Sequence, residues 1–308
     1  MPNDDDPTFA DLGLNAQQRP LAPGLYLVAT PIGNLEDITL RALRVLKSAD
    51  RIACEDTRQT QKLLNHYGIA TPTVSLHEHN EAGRTSELIA DLLGGERIAV
   101  VSDAGTPGIS DPGMFLARAA IKAEISVYPV PGANAALSAL VASGLDTERF
   151  LFLGFLPPKT SARRSDLEKV KASLNQPTTL IFYEAPHRIL EALADVERVW
   201  GASSRIVVAR ELTKLHEEFL RGDAHEVREQ LASRERVRGE IVLLIDAQPG
   251  SEEGASITAT VHERMMELEK TEGLDEMDAL KRIARERGVA KSEVYRELQR
   301  ERSRKPGR

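Results

Sequence analysis

Several absences narrow this 308-residue chain before any motif is read. It holds one cysteine, Cys54, which excludes an internal disulfide or a multi-thiol zinc site and agrees with a reducing compartment. Cys54 itself reads as a small buried apolar residue closing the run Arg51-Ile52-Ala53-Cys54. No Gly-x-Gly occurs, which removes the dinucleotide fingerprint, and no Gly-x-x-x-x-Gly-Lys-Ser/Thr phosphate loop exists. No apolar run approaches the roughly 18 residues of a membrane span. The opening MPNDDDPTFADLG lacks the basic flank and apolar core of a secretory signal, so a cytoplasmic protein is expected. His77-Glu78-His79 and His216-Glu217-Glu218 lack two histidines one helical turn apart; they read as solvated or hydrogen-bonded histidines, and no metal is expected. Gly108-Ile109-Ser110-Asp111-Pro112-Gly113 places its second glycine one position late for a nucleophile elbow, which counts against a serine hydrolase.

What is present centres on residues 97–113, RIAVVSDAGTPGISDPG. Ile98 to Val101 read as a buried strand, and three glycines, two prolines and two aspartates then forbid regular structure. Glycine allows close backbone approach to a ligand and proline keeps the loop rigid. The design recurs at Thr30-Pro31-Ile32-Gly33, after the strand in GLYLVATPIGN, and at Pro129-Val130-Pro131-Gly132, after the strand in ISVYPVPGANAA. Helical periods lie between these strands, at Leu40, Leu43 and Leu46, at Leu63, Leu64 and Tyr67, and at Leu88, Ile89, Leu92 and Leu93. Alternating strands and helices predict an α/β fold with a mostly parallel sheet, whose ligand crevice lies beyond the carboxyl ends of the strands.

A second half opens after a helix over about 134–143. FLFLGFLPP, TTLIFYEAPHRI, SRIVVARELTKLHEEFLRG and GEIVLLIDA supply four strands. Two of them end in charged clusters, Tyr183 to Arg188 and Ala209 to Lys214, denser than a plain connection needs. The predicted layout is an acidic extension at 1–22 without fixed structure, an α/β domain at 23–144, a second at 145–248 and a linker at 249–257. A helical basic tail of helix-turn-helix type follows at 258–308, with Leu280, Ile283, Val294, Tyr295 and Leu298 as its apolar seam. Residues 277–308 hold eleven Lys/Arg against five Asp/Glu, a local +6, while the other 276 residues carry 29 against 42, or −13. That asymmetry suggests an anionic partner, nucleic acid, at the tail; a solvated tail without a partner is the alternative.

The motifs ATPIGNLEDIT, CEDTR, LHEHNE, VSDAGTPGISDPG, PGANAA, GFLPPK, FYEAPHR and ARELTKLHEE, in order from Gly24 to Ala247, resemble the ribosomal RNA branch of the tetrapyrrole (corrin/porphyrin) methylase superfamily. The resemblance implies S-adenosylmethionine as methyl donor, two α/β domains with the donor in the cleft between them, a homodimer and no metal. It also implies 2′-O-methylation of a decoding-region cytidine, cytidine 1402, in the 16S ribosomal RNA of the small ribosomal subunit. A tetrapyrrole methylase of the same fold, or a non-catalytic RNA-binding assembly module, are the rival readings.

Carried over residue by residue, the resemblance assigns the donor pocket to Pro31, Asp103, Gly105, Thr106, Ile109, Pro131, Gly132, Ala133, Tyr183 and Ala209. Of the loop's two aspartates, Asp103 is the expected ligand contact, with backbone capping as its other reading, and Asp111-Pro112-Gly113 the expected start of the next helix. Methyl transfer to a hydroxyl still requires an acceptor for the proton, a carboxylate or a neutral lysine. Asp56 and Lys214 rank first, with Glu55, Glu184 and Glu211 behind them, each just beyond a strand. Arg58, His77, Asn80, Lys159, Arg188 and Arg210 are the candidate RNA contacts.

Overall fold

The computed structural model describes residues 20–77, 80–111, 113–249, 260–287 and 289–303. Most of the expected acidic extension and linker, with Glu78, His79 and Pro112, therefore lies outside the described residues.

The first half forms a five-stranded, wholly parallel sheet: β1 Gly24–Val28, β2 Arg51–Cys54, β3 Thr73–Ser75, β4 Arg97–Val101 and β5 Val127–Val130, in the order β3-β2-β4-β1-β5. Both faces are covered, as a parallel sheet requires. Tyr26 and Val28 of β1, with Ala99 and Val101 of β4, point to one face and pack on Leu43 and Leu46 of α1 (Leu40–Ser48) and Leu64 of α2 (Thr57–His66). Leu25, Ile98 and Val100 point to the other, against Leu88 and Leu92 of α3 (Glu81–Leu93) and Leu116 of α4 (Met114–Lys122). The two-residue alternation along each strand decides which helix each side chain meets.

Helix α5 (Ala135–Ser143) leads into a second sheet of β6 Phe150–Phe155, β7 Thr178–Glu184, β8 Arg205–Arg210, β9 Glu218–Asp223 and β10 Ile241–Ala247, in the order β6-β7-β10-β8-β9. Only β6 and β7 run parallel; β7-β10, β10-β8 and β8-β9 are antiparallel. The stretch 204–222, expected as one strand, is a hairpin. Glu211 and Thr213 take φ of 53° and 64°, a left-handed backbone incompatible with a continuous strand, and the chain reverses between β8 and β9. Helices α6 (Thr160–Ser173), α7 (Ile189–Trp200) and α8 (Ala224–Ala232) complete this half. Ala136, Ala139 and Leu140 of α5 pack on Ile181, Val207 and Val242, and Ile32 from the loop after β1 joins the same cluster. The loop after β1 is thereby fastened to the second sheet.

A separate compact unit holds three helices, α9 Val261–Glu272, α10 Glu276–Arg287 and α11 Lys291–Ser303. Its core takes Val261, Met265, Leu268, Leu280, Ile283, Val294 and Leu298. Tyr295, expected in the seam, is 46% exposed, because one step past Val294 turns a side chain by about 100° away from the inward stripe. Thr260 and Glu263 form a capping box at the start of α9, and Glu301 of α11 accepts the Val261 and His262 N–H groups.

Candidate active site

The loops after β1, β4 and β5 meet beyond the carboxyl edge of the parallel sheet. Thr30 and Gly105 exchange backbone hydrogen bonds, Thr30 N–H to Gly105 O at 2.8 Å and Gly105 N–H to Thr30 O at 3.1 Å. The Thr106 hydroxyl donates to the Ala133 carbonyl at 3.3 Å, which ties in the third loop. The contact between the first and third loops depends on Gly132, where a Cβ would lie 2.9 Å from the Ala29 Cβ. From the second sheet, the Thr213 hydroxyl accepts the Asn34 N–H at 3.1 Å.

These loops and the ends of β7 and β10 enclose a cavity of about 360 Å³. Gly105, Thr106, Ile109, Tyr183 and Glu184, singled out in the sequence, line it, and so do Ile32, Asn134, Phe155 and Glu240, which were not. Glu184 is 2% exposed; its Oε1 meets Arg188 at 2.6 Å and the Ala185 N–H at 2.7 Å, while Oε2 has no hydrogen-bond partner. Glu184 thus brings a buried, unpartnered carboxylate oxygen to a cavity whose wall also holds Asp111 and Glu240. The Tyr183 hydroxyl is pushed up in pKa, first by burial and further by the charge of Asp111, against a lowering backbone hydrogen bond at Ala136, so it stays protonated at neutral pH.

A second, more polar hollow of about 810 Å³ adjoins the first. Glu55, His77, Glu81 and Met114 line it, and Ser110, Asp111 and Phe155 line both. Asp111 has its carboxyl raised to about 6, by burial first, then by the charge of Glu55, with Asp103 adding and a hydrogen bond from Ser102 subtracting. Ser110 beside it takes φ 60°. The sequence signal for Asp111 was obscured by Pro112 and Gly113, which look like a helix start, and α4 does begin at Met114.

Other expected residues fall elsewhere. Asp103 is exposed, and its Oδ1 accepts the Asp56 N–H at 3.2 Å, whereas Asp111 faces both cavities. Pro31, Pro131, Gly132 and Ala133 shape the loops without lining the cavity, and Ala209 is fully buried in the core beneath it. Asp56 caps α2 and pairs with Arg58 at 2.9 Å; hydrogen bonds from Arg58 hold its carboxyl at about 2, which makes it a weak base. Lys214 does not fit a neutral amine. Burial opposes its charge, but hydrogen bonds to Glu211 at 2.9 Å and Glu240 at 3.0 Å outweigh this and hold it above the usual lysine value. Glu211 is lowered in return, chiefly by Lys214.

Among the candidate RNA contacts, Arg58 is exposed at an open polar groove shared with Gln61, Lys62 and Asn65, Lys159 is exposed just before α6, and His77 faces the second hollow. Asn80 is structural, accepting the His77 N–H at 2.9 Å and donating to Ser75 O at 3.2 Å. Arg188 serves Glu184, and Arg210 is held by Glu218 at 3.1 Å and by the Arg238 carbonyl, also at 3.1 Å. Among the described residues no three His, Cys, Asp or Glu side chains gather into a metal-holding set, and no helix is long and apolar enough to cross a membrane.

Comparison with known proteins follows the same lines. The sequence profile described as Tetrapyrrole (Corrin/Porphyrin) Methylases matches residues 24–228. Proteins named ribosomal RNA small subunit methyltransferase I are similar over most of their length. That of Halalkalibacterium halodurans is 48% identical over 284 residues, covering 91% of this chain and 96% of its own. That of Bacillus subtilis is 44% identical over 277 residues, covering 88% and 92%. Among solved structures, uroporphyrin-III-C-methyltransferase from Thermus thermophilus aligns with a TM-score of 0.52 at 21% identity, covering 73% of this chain and 94% of that one. Diphthine synthase aligns with a TM-score of 0.56 at 14% identity, covering 72% and 89%; both likenesses are of fold.

Proposed function

Because this chain belongs to the tetrapyrrole (corrin/porphyrin) methylase family, we propose that it is an S-adenosylmethionine-dependent methyltransferase of small-subunit ribosomal RNA, acting on the ribose 2′-oxygen of the decoding-region cytidine. The names of relatives at 44–49% identity support the reaction class and the RNA. The observation that carries it here is the pair of adjoining cavities with a common wall at Ser110, Asp111 and Phe155: one apolar and enclosed by rigid loops, the other polar and able to receive a ribose.

The residues of the first cavity fit the donor. Loop backbone groups around Gly105 and Thr106 suit its adenosine, the unpartnered Oε2 of Glu184 suits an ammonium or a ribose hydroxyl, and no phosphate needs a glycine nest. When bound, the donor supplies an electrophilic methyl group on a sulfonium. Ile109 and Tyr183 wall the site, Pro31, Pro131, Gly132 and Ala133 set the loop spacing, Asp103 ties the loop after β4 to Asp56, and Ala209 backs it from the core. Arg58, Lys159 and His77 contact the RNA, and the basic segment 277–308 adds phosphate attraction. Positioning of acceptor and donor supplies much of the rate.

The protein acts in the cytoplasm as a homodimer. Edge strand β6, which among the described residues pairs with β7 alone, supports the dimer by exposing Phe150, Leu151, Leu153 and Phe155, and sedimentation analysis checks it; a monomer at micromolar concentration refutes that part. Incubation of purified small ribosomal subunits with methyl-labelled donor, followed by mapping of the modified nucleotide, tests the activity. Label on the 2′-oxygen of one cytidine is expected. Transfer to a tetrapyrrole instead, or donor binding without transfer to RNA, refutes the reading.

A further inference from the structure

Resting on the methyl-transfer reading above, we propose that Asp111 is the catalytic proton acceptor, taking the proton of the acceptor hydroxyl at the wall between the two cavities. Among the described carboxylates that line either space, Asp111 alone lines both: Glu184 and Glu240 line the first cavity, and Glu55 and Glu81 the second. A hydroxyl entering from the polar side and a methyl group presented from the apolar side must meet where the cavities adjoin, and Asp111 stands there with Ser110 and Phe155. Neither group ranked first in the sequence holds such a place. Asp56 caps a helix and is paired with Arg58, and Lys214 is held by Glu211 and Glu240.

The reaction balances without a further reagent. An oxygen–carbon bond forms, the carbon–sulfur bond of the sulfonium breaks with its electron pair left on sulfur, and the hydroxyl proton passes to an Asp111 oxygen and then to water. Around Asp111 the surrounding groups are Glu55 beyond β2, Ser102 and Asp103 beyond β4, His77 in the loop after β3, Glu81 at the start of α3, Tyr183 and Glu184 of β7, and Glu240 before β10. The carboxylates in this set repel a negative charge, and a hydrogen bond from Ser102 offsets this only in part. The resulting carboxyl pKa of about 6 makes Asp111 a stronger base than a solvated aspartate and leaves it ionised at neutral pH. The left-handed backbone at Ser110 is the kind of local strain that a fold maintains where a side chain must be aimed.

Single-turnover methylation of small subunits, compared between wild type and Asp111→Asn across pH 5 to 9, tests the assignment together with calorimetric binding of S-adenosylhomocysteine and an NMR titration of the Asp111 carboxyl carbon. The expected results are a loss of about 100-fold or more in the chemical step for Asp111→Asn, binding of S-adenosylhomocysteine changed less than about threefold, partial recovery in Asp111→Glu, and a wild-type rate that rises to a plateau with the titration of the same carboxyl near pH 6. A wild-type protein that methylates subunits while Asp111→Asn does so equally fast overturns the role of Asp111 and leaves the function standing. A carboxyl titrating near 4 likewise overturns it. A wild-type protein that binds S-adenosylhomocysteine yet methylates no subunit overturns the function reading, and this inference with it.

Discussion

Two aspartates of similar sequence setting carry opposite electrostatics. Asp56 offers its carboxylate to Arg58 and to the first turn of α2, so its ionised form is favoured and its pKa falls to about 2. Asp111 is withdrawn from water among other acids, so its ionised form is disfavoured and its pKa rises to about 6. The folded-state value of Asp111 exceeds the ordinary aspartate value of 3.8, so the native state binds this proton more tightly than the unfolded chain does. Ionised Asp111 therefore opposes folding above pH 6, and the opposition fades as pH falls toward 3.8. Asp111→Asn is expected to raise stability at pH 8 by on the order of 1 kcal/mol, a value already reduced for solvent screening at a half-exposed site. The gain should vanish below pH 4. Urea unfolding of both proteins at the two pH values checks this; equal midpoints at pH 8 would show that the site imposes no charge penalty. At this scale the sequence marked the loop but not the side chain. Gly105, Thr106 and Ile109 are legible as a wall because glycine and proline rule out regular structure, whereas the direction of Asp111 depends on the left-handed turn at Ser110, and the charge state of Lys214 depends on Glu240, 26 residues away.

At the scale of elements, the three Pro/Gly loops were legible because each follows a mainly apolar run, and β1, β4 and β5 could be placed by the same signal, whereas the three-residue β3, Thr73–Ser75, offers no such run. The hairpin between β8 and β9 was not legible. Its turn contains no glycine or proline, and Glu211 and Thr213 adopt positive φ without a sequence cue. The close approach of the first and third loops makes Gly132→Ala informative: the added methyl meets the Ala29 Cβ at 2.9 Å and the Ala29 carbonyl oxygen at 3.4 Å, so the loops must part. Affinity for S-adenosylhomocysteine should fall at least about tenfold, an expected loss of about 1.4 kcal/mol, with little change in far-ultraviolet circular dichroism; unchanged affinity would show that the loop spacing does not govern the cavity. In the second half, α6 and α7 are joined by fully buried Arg163, whose Nε lies 2.6 Å from Asp195, itself 1% exposed. Arg163 also lies 3.5 Å from Glu191, but that carboxylate is largely in water. Asp195→Ala leaves the guanidinium without its buried partner and should cost about 3–5 kcal/mol, read from the denaturant midpoint. A loss below about 1 kcal/mol would mean that water or Glu191 replaces Asp195.

Over the whole molecule, positive charge gathers at the C-terminal end of the helical unit, from α10 onward. The segment 277–308 carries +6 and the remainder −13, and the described helices α9 to α11 close a core of their own in which Val294 and Leu298 are buried while Arg282, Arg296 and Arg300 are exposed. The charge asymmetry was readable from the sequence, as was the pairing of two helices; the third helix, α9, was legible only as part of a helical tail, although Thr260 and Glu263 carry the spacing of a capping box. A chain with net charge −7 meets RNA through local positive surface, and each phosphate neutralised releases condensed counterions. Replacing Arg282, Arg296 and Arg300 together by Gln preserves helix propensity and the buried stripe while removing three positive charges from the surface of this unit. Affinity for small subunits should weaken, and the slope of log K against log salt should become shallower by roughly 2–3, about 0.7–0.9 for each phosphate that is no longer neutralised. Binding of S-adenosylhomocysteine should not change, because none of the three arginines lines the first cavity, the proposed donor site. A salt slope identical to that of the wild type would assign the tail's charge to solvation and place the RNA attraction on the sheet-bearing unit, at Arg58 and Lys159.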